Sequence, residues 1–458
     1  MSTVIVGGTV VTAEGTYRAD VRVDSGVISA VGLDLAGPAD TVIDAAGRHV
    51  LPGGIDVHTH LSMPSFGTET CDDFYTGHLA AAMGGTTSHV DFCIQPHGAS
   101  LAAALDLWHA KAAERALIDY GFHVAVTDPR PEVIDEIATL PDLGVTSIKV
   151  FMAYRGTLQV DDAALFSCLE RARDAGVLTL VHAENGDAIE HLMAGAIRRG
   201  ETAPKYHALT RPPQLESEAT GRAAAMAEVL GAPLYVVHVS CRGALDRVRD
   251  AQSRGAPVTA ETCTHYLFFT ADDLDRSGFE GAKFVCSPPL REVADQDALW
   301  AALRDGTLSV VSTDHCPFRY DTQKVLGEGN FTKIPNGVPG IEERMMVLHH
   351  AGVNGGRITL QQFVSLTATA PARRFGLGGV KGSVAVGSDA DLVLWDLARE
   401  HTITAATNHG AMDYSLYEGM RVRGMPVMTL RRGEVIVDNG RLVAAPGSGQ
   451  FMRRRTGG

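Results

Sequence analysis

The middle of the chain repeats one pattern, and that pattern limits the fold more than any other feature. Short apolar runs alternate with Ala-rich stretches. The runs include Phe122-His123-Val124-Ala125-Val126, Ser147-Ile148-Lys149-Val150-Phe151, Leu178-Thr179-Leu180-Val181-His182, Leu234-Tyr235-Val236-Val237-His238 and Ser309-Val310-Val311-Ser312-Thr313-Asp314. Runs this short and apolar read as buried strands. Arg222-Ala223-Ala224-Ala225-Met226-Ala227-Glu228-Val229-Leu230 reads as a helix stopped by Gly231, a residue free to take the left-handed conformation of a helix C-cap. Parallel strands need a crossover between them, which a helix supplies. Repeated βα units over roughly 300 residues favour an α/β fold, a (β/α)8 barrel of TIM type, over an open parallel sheet of the same texture. In such a barrel, polar residues at strand ends gather on the carboxyl-terminal face, where its chemistry is done.

Both ends of the chain differ from the middle. Residues 1–51 hold the strand candidates Val4-Ile5-Val6, Thr9-Val10-Val11-Thr12, Asp20-Val21-Arg22-Val23, Val27-Ile28 and Thr41-Val42-Ile43, most of them separated by Gly or Asp. The texture returns in Val384-Ala385-Val386-Gly387, Ala390-Asp391-Leu392-Val393-Leu394-Trp395, Pro426-Val427-Met428-Thr429-Leu430 and Val435-Ile436-Val437. Arg432-Gly433-Glu434 and Asp438-Asn439-Gly440 resemble hairpin links. A smaller β-sandwich built from residues 1–51 and 378–440 is therefore expected beside a barrel in 52–377. The tail, 441–458, closes on the basic segment Phe451-Met452-Arg453-Arg454-Arg455-Thr456-Gly457-Gly458. A solvated or frayed terminus is expected there, with a subunit contact as the alternative.

The 458 residues are 45% hydrophobic and carry a formal net charge of −14. That balance argues against a nucleic-acid or anionic-membrane partner. No run approaches the ~18 apolar residues of a membrane span. The segment Met1-Ser2-Thr3-Val4-Ile5-Val6-Gly7-Gly8 has neither the basic nor the long apolar region of a signal peptide. The cysteines, at 71, 93, 168, 241, 263, 286 and 316, form no CxxC pair and read as reduced thiols in a cytoplasmic protein. Composition alone leaves enzyme and scaffold equally open.

His58-Thr59-His60 separates them. Residues two apart on a strand share a face, so both imidazoles can reach one metal ion. Later strand ends add Lys149, His182, His238 and Asp314. Each has an ordinary reading alone: a hydrogen-bonded core histidine, or an aspartate capping a turn. Lys149 is the exception, because an uncompensated ammonium inside an apolar strand is costly. Together and in this order, the ordinary readings fail.

The series Asp56-Val57-His58-Thr59-His60, Ile148-Lys149-Val150-Phe151, Val181-His182-Ala183-Glu184-Asn185, Val237-His238-Val239-Ser240 and Ser312-Thr313-Asp314-His315 resembles the cyclic amidohydrolases, within them the hydantoinase/dihydropyrimidinase branch. The resemblance covers essentially the whole chain. It implies two divalent ions per subunit, usually zinc, with manganese also compatible with oxygen and imidazole ligands. Lys149 would be carboxylated by carbon dioxide (N6-carboxylysine) and bridge both ions. His58, His60 and Asp314 would serve one ion, His182 and His238 the other. The implied reaction opens the cyclic amide of hydantoins or dihydropyrimidines to N-carbamoyl amino acids, through attack of a metal-bridging hydroxide. Asp314 would act as base and then acid, and Tyr154 would hydrogen-bond the oxyanion. Main-chain groups at Ser287 and Asn336 would hold the ring imide. Met63, Phe66, Ile94 and Leu158 would face a hydrophobic 5-substituent, with a lean toward the D series. The family is commonly homotetrameric.

Three other readings fit these residues less well. Dihydroorotases carry an arginine two residues after the second histidine, where this chain has Ser62, so a carboxylate clamp is missing. Cys263-Thr264-His265-Tyr266 has some likeness to allantoinase, whereas Lys149–Tyr154 and Cys286-Ser287-Pro288-Pro289 look like hydantoinase. Non-catalytic relatives have lost metal ligands, and all six positions are present here. Cys316, near Asp314, is expected to be a buried free thiol.

Overall fold

The structure, a computed structural model, describes residues 2–456; Met1, Gly457 and Gly458, the outermost residues of the two end segments, lie outside them. Eight strands form the central sheet: β1 (Gly54–Thr59), β2 (Thr86–Ile94), β3 (Asp119–Ala125), β4 (Ser147–Phe151), β5 (Leu178–His182), β6 (Leu234–Val236), β7 (Val258–Cys263) and β8 (Val310–Ser312). They pair in sequence order and every pairing between neighbours is parallel. The two outer strands then meet just past their ends. Thr59 bridges His315, and the His60 N–H donates to the His315 carbonyl at 2.8 Å. The sheet is thus a nearly closed barrel and not an open one.

Apolar side chains of alternate strand positions fill the barrel, among them Ile55, Val57, Val90, Phe92, Leu180, Tyr235, Val237 and Val310. Helices cover the outside. The helix Pro213–Leu230 ends where its sequence indicates, with Gly231 at φ 62° receiving the chain in the left-handed region. Among the described residues no helix is long and apolar enough to cross a membrane.

The two chain ends share a second core. Ile5, Val10, Val21, Ile28 and Val50 pack with Val384, Leu392, Leu394 and Leu430. One sheet there has four strands from the amino-terminal segment; the other has seven, from both ends. Within it, His49–Pro52 runs antiparallel to Leu392–Thr402, with Leu392 opposite Pro52 and Trp395 opposite His49. His49–Pro52 leads straight into β1, so the barrel hangs directly from this sheet. Arg432-Gly433 and Asn439-Gly440 both have positive φ at two successive residues, the geometry of two-residue hairpins.

Three expectations are corrected. Val384–Gly387 is a turn and no strand: Val384 enters the sandwich core while Val386 is exposed, and the Gly387 N–H donates to the Ile28 carbonyl. The sheet runs past 440, because Arg441–Leu442 pairs with Glu434–Asp438. The tail through Thr456 is docked and not frayed. Met452 and Arg454 turn inward at the amino-terminal end of the barrel, and main-chain N–H groups of 452, 454 and 455 donate to the carbonyls of Tyr120, Gly144 and Gly376. Gly376 must lack a side chain there, since a Cβ would lie 2.2 Å from the Arg455 carbonyl oxygen.

Candidate active site

Every residue singled out from the sequence for the site lines one cavity of about 330 Å³ at the carboxyl ends of the strands. His58 sits on β1 and His60 follows it; Lys149 is in β4 and His182 ends β5. His238 and Asp314 lie two residues beyond β6 and β8. Both have left-handed backbones, φ 40° and 49°, as do Tyr154 at 70° and Phe66 at 50°. Such conformations cost about 1–3 kcal/mol each in an L-residue and persist where the surroundings over-determine them. All four residues line the cavity.

Asp314 joins the first histidine pair. Its Oδ1 lies 3.1 Å from His58 Nε2 and 3.0 Å from His60 Nε2. Burial opposes its ionisation, yet the two imidazoles outweigh burial and hold its carboxyl well below the usual range. The second pair faces itself, His182 Nδ1 to His238 Nε2 at 2.8 Å. Lys149 lies between the pairs. Its Nζ stands 4.7 Å from the ring centre of Phe92 and 5.1 Å from that of Phe151. Burial lowers its pKa to about 8, against the opposing pull of Asp314 and Glu261.

The donor set fits metal ions. His58 sits between two carboxylates, Nδ1 at 2.5 Å from Glu261 Oε1 and Nε2 at 3.1 Å from Asp314 Oδ1, and against burial their charges raise its pKa. His182 donates from Nε2 to Glu184 Oε2 at 2.8 Å, leaving Nδ1 as a lone pair aimed at His238. His58, His60 and Asp314 bring their donor atoms close enough together to hold a metal ion. Carboxylates behind ligand histidines are the usual means of fixing which nitrogen faces a metal.

Sequence reading missed these outer partners. Glu184 is gripped by Arg211 Nη1 at 2.9 Å, and Arg211 lies over the Tyr154 ring at 5.6 Å. Burial opposes the Glu184 charge, but Arg211 and His182 bring its pKa down to about 2. Asp91 accepts from the Thr59 hydroxyl at 2.8 Å and the Leu61 N–H at 2.9 Å, clamping the strand between and beyond the two histidines. The one available signal for Glu261 was a carboxylate within the short run Val258–Cys263, which the sequence reading did not pick out as a strand.

Around the cavity, Asn336 Nδ2 donates to Ser287 Oγ at 3.1 Å. Met63, Ile94 and Leu158 form the apolar side. Phe66 stands at the tip of a hairpin whose strands are Pro64–Ser65 and Thr68–Glu69, and is 40% exposed. Cys316 lines the cavity too, but burial raises its thiol well above the ordinary range, so it stays protonated. Cys263, Thr264, His265 and Tyr266 are buried outside the cavity lining.

A parallel barrel with imidazoles, a carboxylate and a buried lysine at the carboxyl ends of its strands is a metal-dependent hydrolase by architecture. The family model of the amidohydrolase family matches residues 49–436, and the chain belongs to that family. It is 52% identical over 455 residues to D-hydantoinase of Ralstonia pickettii and 52% identical over 455 residues to that of Rhizobium radiobacter, covering 99% of both chains each time. Among solved structures, the dihydropyrimidinase of Brevibacillus agri NCHU1002 superposes with a TM-score of 0.98 at 50% identity, over 100% of this chain and 99% of the other.

Proposed function

We propose that this chain hydrolyses the cyclic amide of hydantoins or dihydropyrimidines, releasing N-carbamoyl amino acids. The observation that carries this reading is the convergence of both histidine pairs, Lys149, Asp314, Tyr154, Ser287 and Asn336 on one ring-sized cavity. Such a cavity is at the small end of ligand pockets, about 300–1,000 Å³. Among the described lining residues Lys149 is the sole cation, which suits an uncharged ring and agrees with Ser62 in place of an arginine.

His58, His60 and Asp314 would hold one divalent ion and His182 with His238 the second, zinc or manganese by donor type. Lys149 would bridge them as its carbamate, which turns a costly buried amine into an anion with two donor oxygens. When bound, such ions supply Lewis-acid polarisation of the ring carbonyl and an acidified water. Asp314 is placed to take the water proton on Oδ2, since Oδ1 is engaged by His58 and His60, and to return it to the departing ring nitrogen. Tyr154 donates its O–H to the carbonyl oxygen as charge develops there. Burial raises that phenol to about 12, so it remains a donor. The main chain at Ser287 and Asn336 holds the imide and blocks rotation of the ring.

Phe66, Met63, Ile94 and Leu158 take up the 5-substituent, and the relatives named D-hydantoinase support the D series. A reducing cytoplasm suits the free thiols, and a homotetramer is the assembly to look for by light scattering. Turnover of 5-phenylhydantoin, dihydrouracil and allantoin by the purified protein, with metal analysis, tests the whole reading. Ring opening of the first or second substrate with two ions per subunit is expected. Absence of metal together with no turnover of any cyclic ureide overturns it, and preference for allantoin redirects it.

A further inference from the structure

Lys324 opens the short helical turn Lys324–Gly327 and is completely buried outside the cavity lining. Its ammonium has three N–H donors, and each has a main-chain carbonyl: Val285 at 2.9 Å, Pro335 at 2.7 Å and Gly337 at 2.7 Å. No carboxylate pairs with it among the described residues. Its titratable neighbours are the thiols of Cys286 and Cys316 and the imidazole of His207, and the Phe318 ring centre lies 5.9 Å away. A buried ammonium without a counter-charge is a poor way to stabilise a fold. A methionine of similar length would fill the space without desolvating a charge.

The positions of the three carbonyls give the ammonium a role. Val285 lies two residues before Ser287, and Pro335 and Gly337 flank Asn336. The same Val285 carbonyl also accepts the Gly337 N–H at 3.0 Å, and the segments meet again through Asn336 Nδ2 and Ser287 Oγ. Close packing leaves no slack on the far side, since a Cβ on Gly337 would stand 2.3 Å from the Cys316 carbonyl oxygen. The Pro335 carbonyl and the Asn336 N–H belong to one peptide unit. A cation on that oxygen polarises the unit and makes the N–H at the other end a stronger donor.

We propose that Lys324 is a positioning residue for substrate binding: its ammonium ties the Ser287 and Asn336 segments at one spacing and sharpens the Asn336 main-chain donor toward a ring imide. This rests on the cyclic-imide reading of the site. Burial lowers the Lys324 pKa to about 7, with only the two thiols opposing, so the third donor is lost as the medium becomes alkaline.

The test is Lys324→Met in the full-length, metal-loaded protein, assayed on 5-phenylhydantoin. KM should rise by about tenfold or more, the loss of one good hydrogen bond, while kcat stays within about threefold and metal content is unchanged. A folded, metal-replete variant with the wild-type KM overturns the proposal but leaves the hydrolase reading intact. Loss of metal and kcat with KM unchanged overturns it as well. No turnover of any cyclic ureide by the wild type ends both readings. If the variant fails to fold, the wild type decides: KM for dihydrouracil, whose imide keeps its proton, should climb from pH 7 to pH 9 with kcat and metal content steady. A flat KM profile overturns the proposal.

Discussion

Two buried lysines stand at opposite ends of the barrel and have opposite surroundings. At the floor, Lys381 Nζ meets Asp119 and Asp389 at 2.9 Å and Asp391 at 2.6 Å. Burial would strip its proton, but the three carboxylates outweigh burial and raise its pKa above the usual lysine value. Those aspartates approach one another closely enough to hold a metal ion, and the ammonium takes that place. At the mouth, Lys149 has aromatic rings and imidazoles for neighbours and no paired carboxylate among the described residues, and its pKa falls to about 8. A buried charge neutralised by its neighbours is framework. A buried amine with neither a carboxylate nor a set of carbonyls to hold it, as Lys149 is and Lys324 is not, is free for chemistry.

The sharpest break of that contrast is Lys149→Ala. Activity should fall to background and bound metal should drop, with partial rescue by short carboxylic acids that stand in for the proposed carbamate; full activity in the variant would remove Lys149 from the chemistry. Lys381→Met should act on the other axis. It leaves the buried Asp391 and the half-buried Asp389 without their cation, and Asp119 with Arg432 alone, and should destabilise the fold by ~3–5 kcal/mol in denaturant titrations. Folded Lys381→Met protein should keep the wild-type KM and metal content, and a selective loss of metal would dissolve the division between floor and mouth. Glu184→Ala frees His182 Nε2 and should weaken metal binding by about 10–100-fold, read by competition with a chelator; unchanged affinity would deny the carboxylate its orienting role. Phe66→Ala should have the smallest effect. It should shift preference between aryl and alkyl hydantoins by about tenfold or less at constant metal content, and equal losses on all substrates would remove Phe66 from specificity.

The mouth was legible in the sequence because its proposed ligands end apolar runs, and because a lysine inside Ser147–Phe151 has no ordinary explanation. The floor was not. Asp119, Lys381, Asp389, Asp391 and Arg432 meet only after folding, with Asp119 and Lys381 separated by 262 positions. The same holds for the carboxylates behind the histidines, since His58 and Glu261 are 203 positions apart. Strand β2 was hard to read because the buried stretch Thr86-Thr87-Ser88-His89-Val90-Asp91 is polar at every position but Val90. Alternating with Val90 and Phe92, His89 and Asp91 face outward and are bonded between the barrel and its helices, His89 to His78 at 2.6 Å and to Thr59 at 2.8 Å, and Asp91 to Trp108 at 3.0 Å. Val384–Gly387 failed for the converse reason: a valine in a turn can reach a core without belonging to a strand.

The pairing of Leu392 with Pro52 also sets the order in which the molecule can be made. A ribosome that has delivered all eight barrel strands has delivered only one side of this sheet. The strand that precedes β1 must wait, edge exposed, for partners more than three hundred residues behind it. Long waits of this kind slow folding and leave strand edges open to wrong pairing. In a cell, the step most in need of protection is therefore the arrival of residues 392–431, after the catalytic strands have already been synthesised.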